Sequence, residues 1–274
     1  MTILVTGATG NIGRMVVDEL AGSGERVRAL TTNPAKAALP GDVEVARGYL
    51  GKPETLPSAL EGVDTVYLAP MPGTIETVAR MAKEAGVRRV VALTSILAGD
   101  DAADDYALSF VAIERAIIEA GFGWTFLCPG AFMENTDNWA VSIRAENVVR
   151  APFPLATDTP ISMRDIAVAA AAALLDDKHA NRKYPLSGPE AITIPQQVAA
   201  IADALGRDVR YIEQTREEAK QAWLDQGVDS ETADWLLSGG NEMRMEPEPG
   251  FEQLTGRGAT TYAEWAKQNA ERFR

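Results

Sequence analysis

Cysteine occurs once in this 274-residue chain, and so does histidine. With only Cys128 there is no intramolecular disulfide and no cysteine metal cluster, and in the run Trp124-Thr125-Phe126-Leu127-Cys128 it reads as a small buried hydrophobe. With only His179 there is no histidine-rich metal site, and no Ser-His-Asp triad can rest on any other residue. The stretch Asp176-Asp177-Lys178-His179-Ala180-Asn181 reads as an exposed connector, so no chemical role and no metal are expected there. Basic residues are also in deficit, 26 Lys and Arg against 39 Asp and Glu, and the net charge of −13 argues against nucleic acid as a partner. No apolar run reaches the roughly 18 to 20 residues that cross a bilayer. The start Met1-Thr2-Ile3-Leu4-Val5 has no basic region, so the expectation is a soluble cytoplasmic protein with no membrane partner.

Short β-branched runs alternate with longer helical patterns through the first half. That alternation is how a parallel sheet with crossover helices is written in sequence. Strands are expected over 3–6, 27–31, 43–46, 63–69, 89–94 and 124–128, in a Rossmann-type doubly wound α/β sheet. The intervening helices carry apolar stripes, Ile12, Val16, Val17 and Leu20 in one and Ile75, Val78, Ala79 and Ala82 in another. After Gly130 the alternation stops. The remainder shows helix starts of capping-box form at Thr193 with Gln196, Thr215 with Glu218, and Thr261 with Glu264. Extended pieces over 184–186 and 209–212 are expected to add to the sheet edge or form a small ribbon. The expected organisation is a dinucleotide-binding domain over 1–130 and a smaller, mostly helical lobe over 131–274, packed on it as one unit above the carboxyl ends of the strands.

Directly after the first strand comes Gly7-Ala8-Thr9-Gly10-Asn11-Ile12-Gly13. Gly7 permits the tight turn, Gly10 lets backbone approach a pyrophosphate, and Gly13 lets the following helix pack closely on the sheet. The helix N-terminus then offers free amides and partial positive charge to an anion. Such a trio between a strand and an amphipathic helix points to a dinucleotide site.

The spacing Gly-x-x-Gly-x-x-Gly resembles the NmrA-like branch of the atypical short-chain dehydrogenases. So do Asn33-Pro34-Ala35-Lys36-Ala37, Pro129-Gly130-Ala131-Phe132-Met133-Glu134-Asn135, Arg164-Asp165-Ile166-Ala167 and Leu254-Thr255-Gly256-Arg257, and the resemblance spans essentially the whole chain. It implies NADP or NAD as cofactor, held by Gly7, Thr9, Gly10, Asn11, Ile12 and Gly13, by Thr31, Thr32 and Asn33, and by Leu50. Ala69, Pro70 and Met71, Thr94, and Pro129, Gly130 and Phe132 complete the expected set. Family members include reductases of quinones, triphenylmethane dyes or phenolic compounds, and also cofactor-sensing regulators.

Two positions near the adenosine depart from that pattern. Thr32 stands where relatives often carry an arginine, and Tyr49 where they commonly have an acid. Threonine hydroxyls can bond a ribose diol or a phosphate, and Arg14 and Lys36 are near enough in sequence to add charge, so the two nucleotides are expected to bind within about tenfold of each other. At the catalytic end, the resemblance assigns Ser95 and Tyr106, but the family's lysine is replaced in Tyr106-Ala107-Leu108-Ser109-Phe110. Without that cation a phenol is a poor proton donor at neutral pH, which argues against ordinary carbonyl reduction. Ser95 and Tyr106 read equally well as helix or backbone caps.

An apolar pocket over the strand ends is expected from Met71, Pro72, Tyr106, Phe110, Phe132, Met133 and Trp139, with Trp223 or Trp235 as further candidates, although Trp223, Trp235 and Trp265 each read more readily as packing. Asn135 is placed to orient a carbonyl or to bond a helix end. These features imply hydride transfer from NAD(P)H to a quinone or conjugated aromatic carbonyl compound by a monomer or homodimer. The alternatives are a non-catalytic nucleotide sensor and recruited chemistry of monooxygenase type on an aromatic substrate.

Overall fold

The computed structural model describes residues 1–274. Its strands are β1 (Thr2–Val5), β2 (Arg26–Thr31), β3 (Glu44–Arg47), β4 (Thr65–Leu68), β5 (Arg89–Leu93), β6 (Gly123–Pro129), β7 (Val148–Ala151), β8 (Thr157–Asp158), β9 (Arg182–Leu186), β10 (Ile192–Thr193) and β11 (Arg210–Glu213). Its helices are α1 (Asn11–Leu20), α2 (Pro57–Leu60), α3 (Ile75–Glu84), α4 (Asp105–Glu119), α5 (Ala140–Glu146), α6 (Met163–Leu175), α7 (Ile194–Leu205), α8 (Arg216–Asp225), α9 (Ser230–Leu236), α10 (Gly250–Thr255) and α11 (Tyr262–Gln268). None is long and apolar enough to cross a membrane.

Seven strands form one parallel sheet in the order β3-β2-β1-β4-β5-β6-β9. The chain winds outward from β1 to β3 and then crosses back to β4, so the order reverses beside β1, where open α/β sheets bind ligands. Strand side chains alternate between the two faces. Leu4, Leu30, Val66, Leu68, Val90 and Phe126 share a core with the apolar stripes of α3 and α4. Ile3, Val5, Ala29, Tyr67 and Val91 point the other way, to the face that α1 and α6 cover. The helical stripes read from sequence are the buried ones: Ile12, Val16, Val17 and Leu20 in α1, and Ile75, Val78, Ala79 and Ala82 in α3.

A single boundary at 130 does not describe the chain. One unit comprises Met1–Gly130, Met163–Leu186 and Pro249–Gly258, and the other Ala131–Ser162, Ser187–Glu248 and Ala259–Arg274. The reason is that α6 and β9 repeat the strand–helix–strand alternation once more, β9 pairing with β6 as the seventh strand at the sheet edge. The second unit has its own core around Met133, Ile143, Val149, Val198, Ile201, Tyr262 and Trp265. Its small sheets pair β7 with β11 in parallel and β8 with β10 antiparallel. All three expected capping boxes are formed, at the starts of α7, α8 and α11, each stabilising its helix by about 1 kcal/mol.

Candidate cofactor and active site

The glycine turn is fixed by lack of room. Gly7 has φ +62°, the left-handed region that glycine enters without penalty, and its carbonyl accepts from the Gly10 N–H at 2.9 Å. A Cβ on Gly13 would lie 2.1 Å from the Gly7 carbonyl oxygen, so no side chain fits there. A Cβ on Gly10 would lie 3.3 Å from the same oxygen, a tight contact that leaves the chain path possible while filling the space above the turn. Gly10 is the N-cap of α1, no side chain caps that helix, and its first turn carries no acid. The amides of Asn11, Ile12 and Gly13 therefore face outward beneath the positive end of the helix dipole. Ile12 contributes backbone only, since its side chain is buried in the core. A pyrophosphate fits this cradle.

The carboxyl ends of the neighbouring strands are tied to the turn. The Thr6 hydroxyl donates to the Tyr67 carbonyl at 2.9 Å and accepts from the Ala69 N–H at 2.8 Å, which fixes the start of 69–72 beside β1. Thr9 Oγ1 and Thr31 Oγ1 are 3.3 Å apart, and Thr31 Oγ1 also accepts from the Asn33 N–H at 3.2 Å. Thr31 is buried, whereas Thr32 and Asn33 are exposed. Leu50 is buried and its carbonyl accepts from the Thr74 hydroxyl at 2.9 Å. Tyr49, at the position expected to contact adenine, is exposed with its N–H bonded to Thr55 Oγ1.

At the end of β5, Thr94 has its hydroxyl turned inward. It donates to Glu114 Oε1 at 2.9 Å and lies 3.1 Å from Cys128 Sγ. Lys183 of β9 reaches the other Glu114 oxygen at 2.8 Å and also donates to the Ala98 carbonyl. This network of Thr94, Cys128, Glu114 and Lys183 fastens the loop after β5, and nothing in the sequence alone linked its members. Burial pushes the Cys128 thiol up to about 12, so it is an inert packing group. Ser95 is buried and its Oγ accepts from the Leu97 N–H at 3.2 Å, a turn-capping bond.

Phe110 is not the cleft wall the sequence reading expected. It is 8 % exposed and belongs to the core stripe of Ala107, Phe110, Ile113, Ala116 and Ile117 on α4. A helix with that 3–4 spacing turns Phe110 toward the sheet, whereas Tyr106, 54 % exposed, stays on the surface, edge-on to the Phe110 ring at 5.1 Å. Expected pocket residues in the second unit divide the same way. Met133 is 1 % exposed and lies in that unit's core, Trp139 is half-buried against it, and Asn135 is exposed with its N–H closing a turn on Phe132. Glu134, in the same motif, accepts from Trp265 Nε1 at 3.1 Å, and Tyr262 donates to Thr136 at 3.0 Å, so much of the motif anchors α11. The expectation for His179 is also corrected: it is 3 % exposed, with Nδ1 2.8 Å from the Tyr184 hydroxyl.

A family described as NAD(P)H-binding matches residues 7–177, and the chain belongs to it. Over 99 % of both chains it is 37 % identical to a (4-alkanoyl-5-oxo-2,5-dihydrofuran-3-yl)methyl phosphate reductase of Streptomyces griseus, and 36 % identical to an NAD(P)H azoreductase of Xenophilus azovorans. An Escherichia coli NADPH-dependent quinone oxidoreductase, solved with NADPH, superposes with a TM-score of 0.82 at 25 % identity, over 98 % of this chain and 99 % of that one. Fold, glycine cradle and relatives together define an NAD(P)H-dependent reductase of the NmrA-like, atypical short-chain dehydrogenase type.

Proposed function

We propose that this reductase acts on a quinone or other conjugated aromatic carbonyl compound, in the cytoplasm, as a monomer or homodimer. Gly7, Thr9, Gly10, Asn11, Ile12 and Gly13 hold the pyrophosphate, and the strand-end residues Thr31, Thr32, Asn33, Leu50, Ala69, Pro70 and Met71 border the rest of the dinucleotide. When bound, the nicotinamide supplies a hydride. The reading rests on one observation: a complete cofactor cradle coexists with a proton-donor site that lacks its cation, position 110 being a core phenylalanine. Such a site suits an acceptor that takes hydride without strong acid assistance and a proton from solvent. The names of the azoreductase and quinone oxidoreductase relatives support the same class of acceptor. Ser95 and Tyr106 then serve as positioning and lining groups. Following the nicotinamide absorbance band with a panel of quinones tests this: steady oxidation is expected, and binding without oxidation would replace the reading with a nucleotide sensor.

A further inference from the structure

We infer that Arg14 and Arg47, with Lys36, recognise the 2′-phosphate of NADPH and make this chain NADPH-selective, although the arginine expected after β2 is absent. The inference rests on the reading of the glycine turn as the dinucleotide site, because that turn fixes where the adenosine ribose lies, beside the end of β2.

The first observation is the chemistry at that end. Thr31, Thr32 and Asn33 provide hydroxyls, an amide side chain and backbone N–H groups but no carboxylate, and a carboxylate is what accepts from the 2′- and 3′-hydroxyls of NADH. The second is the placement of Arg14. It leaves the first turn of α1, and Nη1 donates to the Ala37 carbonyl at 3.3 Å, so the guanidinium spans from the glycine turn to the short helix Pro34–Lys36 that follows β2. Its other contact, Nε to Asp18 at 3.4 Å, is a long and exposed pair that leaves donors available.

The third observation comes from the strand register and adds a residue that proximity in sequence did not suggest. In the parallel ladder of β2 and β3, Thr31 is opposite Arg47, as Leu30 is opposite Ala46. Opposed residues in a ladder point to the same face. Leu30 and Ala46 belong to the core on the α3 and α4 side, so Thr31 and Arg47 face the side that carries α1. Arg47 and Lys36 are exposed. The three cations thus sit on α1, on the turn Pro34–Lys36 and on the strand paired with β2, the elements that meet at the end of β2, in a chain whose net charge is −13. A dianionic phosphate offers acceptors for the forked donors of two arginines, whereas the diol of NADH does not.

The test is binding, not turnover. Dissociation constants for NADPH and NADH are measured on the unmodified protein and on Arg14→Gln and Arg47→Gln, and 2′,5′-ADP is compared with 5′-AMP as a competitor. With Arg47 added to Arg14 and Lys36, the near-parity expected from sequence gives way to selectivity: NADPH is expected to bind more than about tenfold tighter than NADH, each variant to weaken NADPH about tenfold while NADH moves less than about twofold, and 2′,5′-ADP to compete better than 5′-AMP. Raising salt to about 1 M, where the Debye length is about 3 Å, should narrow the gap. Equal binding of the two nucleotides and equal competition by the two fragments would overturn the inference while leaving the dinucleotide site intact. So would variants that weaken both nucleotides alike. Absence of binding by either nucleotide would overturn the parent reading and this one with it.

Discussion

The two ends of the candidate site, one around β1 and the other around β5, carry their information in different materials. Around β1 the site is backbone: a left-handed Gly7, an uncapped helix start, and a Gly13 whose missing Cβ would stand 2.1 Å from a carbonyl oxygen. Around β5 and α4 the site is side chains, and each has another occupation. Ser95 caps a turn, Thr94 bonds Glu114, and Phe110 fills the core. A backbone site admits few substitutes and therefore leaves a plain trace in sequence. A side-chain site tolerates replacement of one member by something that merely packs, and the chemistry changes without the fold registering it.

The largest expected effects test the backbone end. Gly13→Ala forces a methyl into 2.1 Å of the Gly7 oxygen, so the turn or α1 must move, and stability should fall by about 3 kcal/mol or more in chemical denaturation. Gly10→Val should separate binding from folding. Its added carbon meets Gly7 at 3.3 Å, which a small shift absorbs, while the branched side chain occupies the phosphate approach, so calorimetry should show NADPH affinity lowered by more than about a hundredfold in a folded protein. If Gly10→Val binds normally, the cradle is not where the cofactor sits and the contrast between the two ends fails.

Of comparable size, at the other end of the site, is the effect of Phe110→Ala. A ring in this core costs about 3 to 5 kcal/mol when truncated, so the melting transition should drop sharply while cofactor affinity of the remaining folded protein changes little. A variant with unaltered stability but impaired substrate binding would return Phe110 to the cleft and make the β5 end a designed pocket after all.

How much was legible follows the same division. The stripes of α1 and α3, the six strands of the alternating half and the three capping boxes were all readable, because burial and amide satisfaction impose spacing on sequence. β9 was only partly so. Arg182, Lys183 and Pro185 interrupt the apolar pattern, and the proline is tolerated because β9 is an edge strand with a partner on one side only. For Phe110 the helical stripe held the answer, but alignment with the family's lysine position suggested a cleft. Arg47 needed the register of β2 and β3, and the link between Glu114 and Lys183 joins positions 69 residues apart that only the sheet brings together. The second unit's recapture of α6 and β9 by the first was hidden because a chain that leaves a sheet and returns gives no local signal.

A smaller effect should appear at neither end. His179 lies just ahead of the edge strand β9, at its amino end and away from the site at the strands' carboxyl ends, with its carbonyl accepting from Thr125 Oγ1. Burial holds its imidazole below the ordinary histidine range. The unfolded chain then binds a proton that the native state resists, so this contribution is complete above about pH 6.5 and is lost as pH falls from there toward the folded value. Denaturation midpoints should therefore decline as pH falls below about 7, at a slope of at most about 1.4 kcal/mol per pH unit from this group, and His179→Asn should flatten that decline. NADPH affinity compared over the same range should not follow it, and a shared profile would mean that His179 and the site are coupled.

The smallest expected change is also the sharpest test of the side-chain end. Tyr106 is 54 % exposed and its ring meets Phe110 edge-on at an interplanar angle of 88°. Tyr106→Phe keeps that ring contact and removes one hydroxyl at the surface, so stability should move by less than about 0.5 kcal/mol. If the hydride acceptor takes its proton from solvent, turnover with quinones should fall less than about tenfold, equivalent to about 1.4 kcal/mol of transition-state stabilisation. The contrast lies in what a phenol needs in order to be an acid. It must lose its proton to the substrate and be left as a phenolate, which a neighbouring cation stabilises, and position 110 offers a buried aromatic ring instead. Steady-state constants for Tyr106→Phe and Ser95→Ala, with NADPH dissociation measured on the same samples, decide the matter. A loss of about a thousandfold, or about 4 kcal/mol, in turnover for Tyr106→Phe with unchanged cofactor affinity would show that the hydroxyl transfers the proton, and that a cation other than a residue at position 110 sustains it.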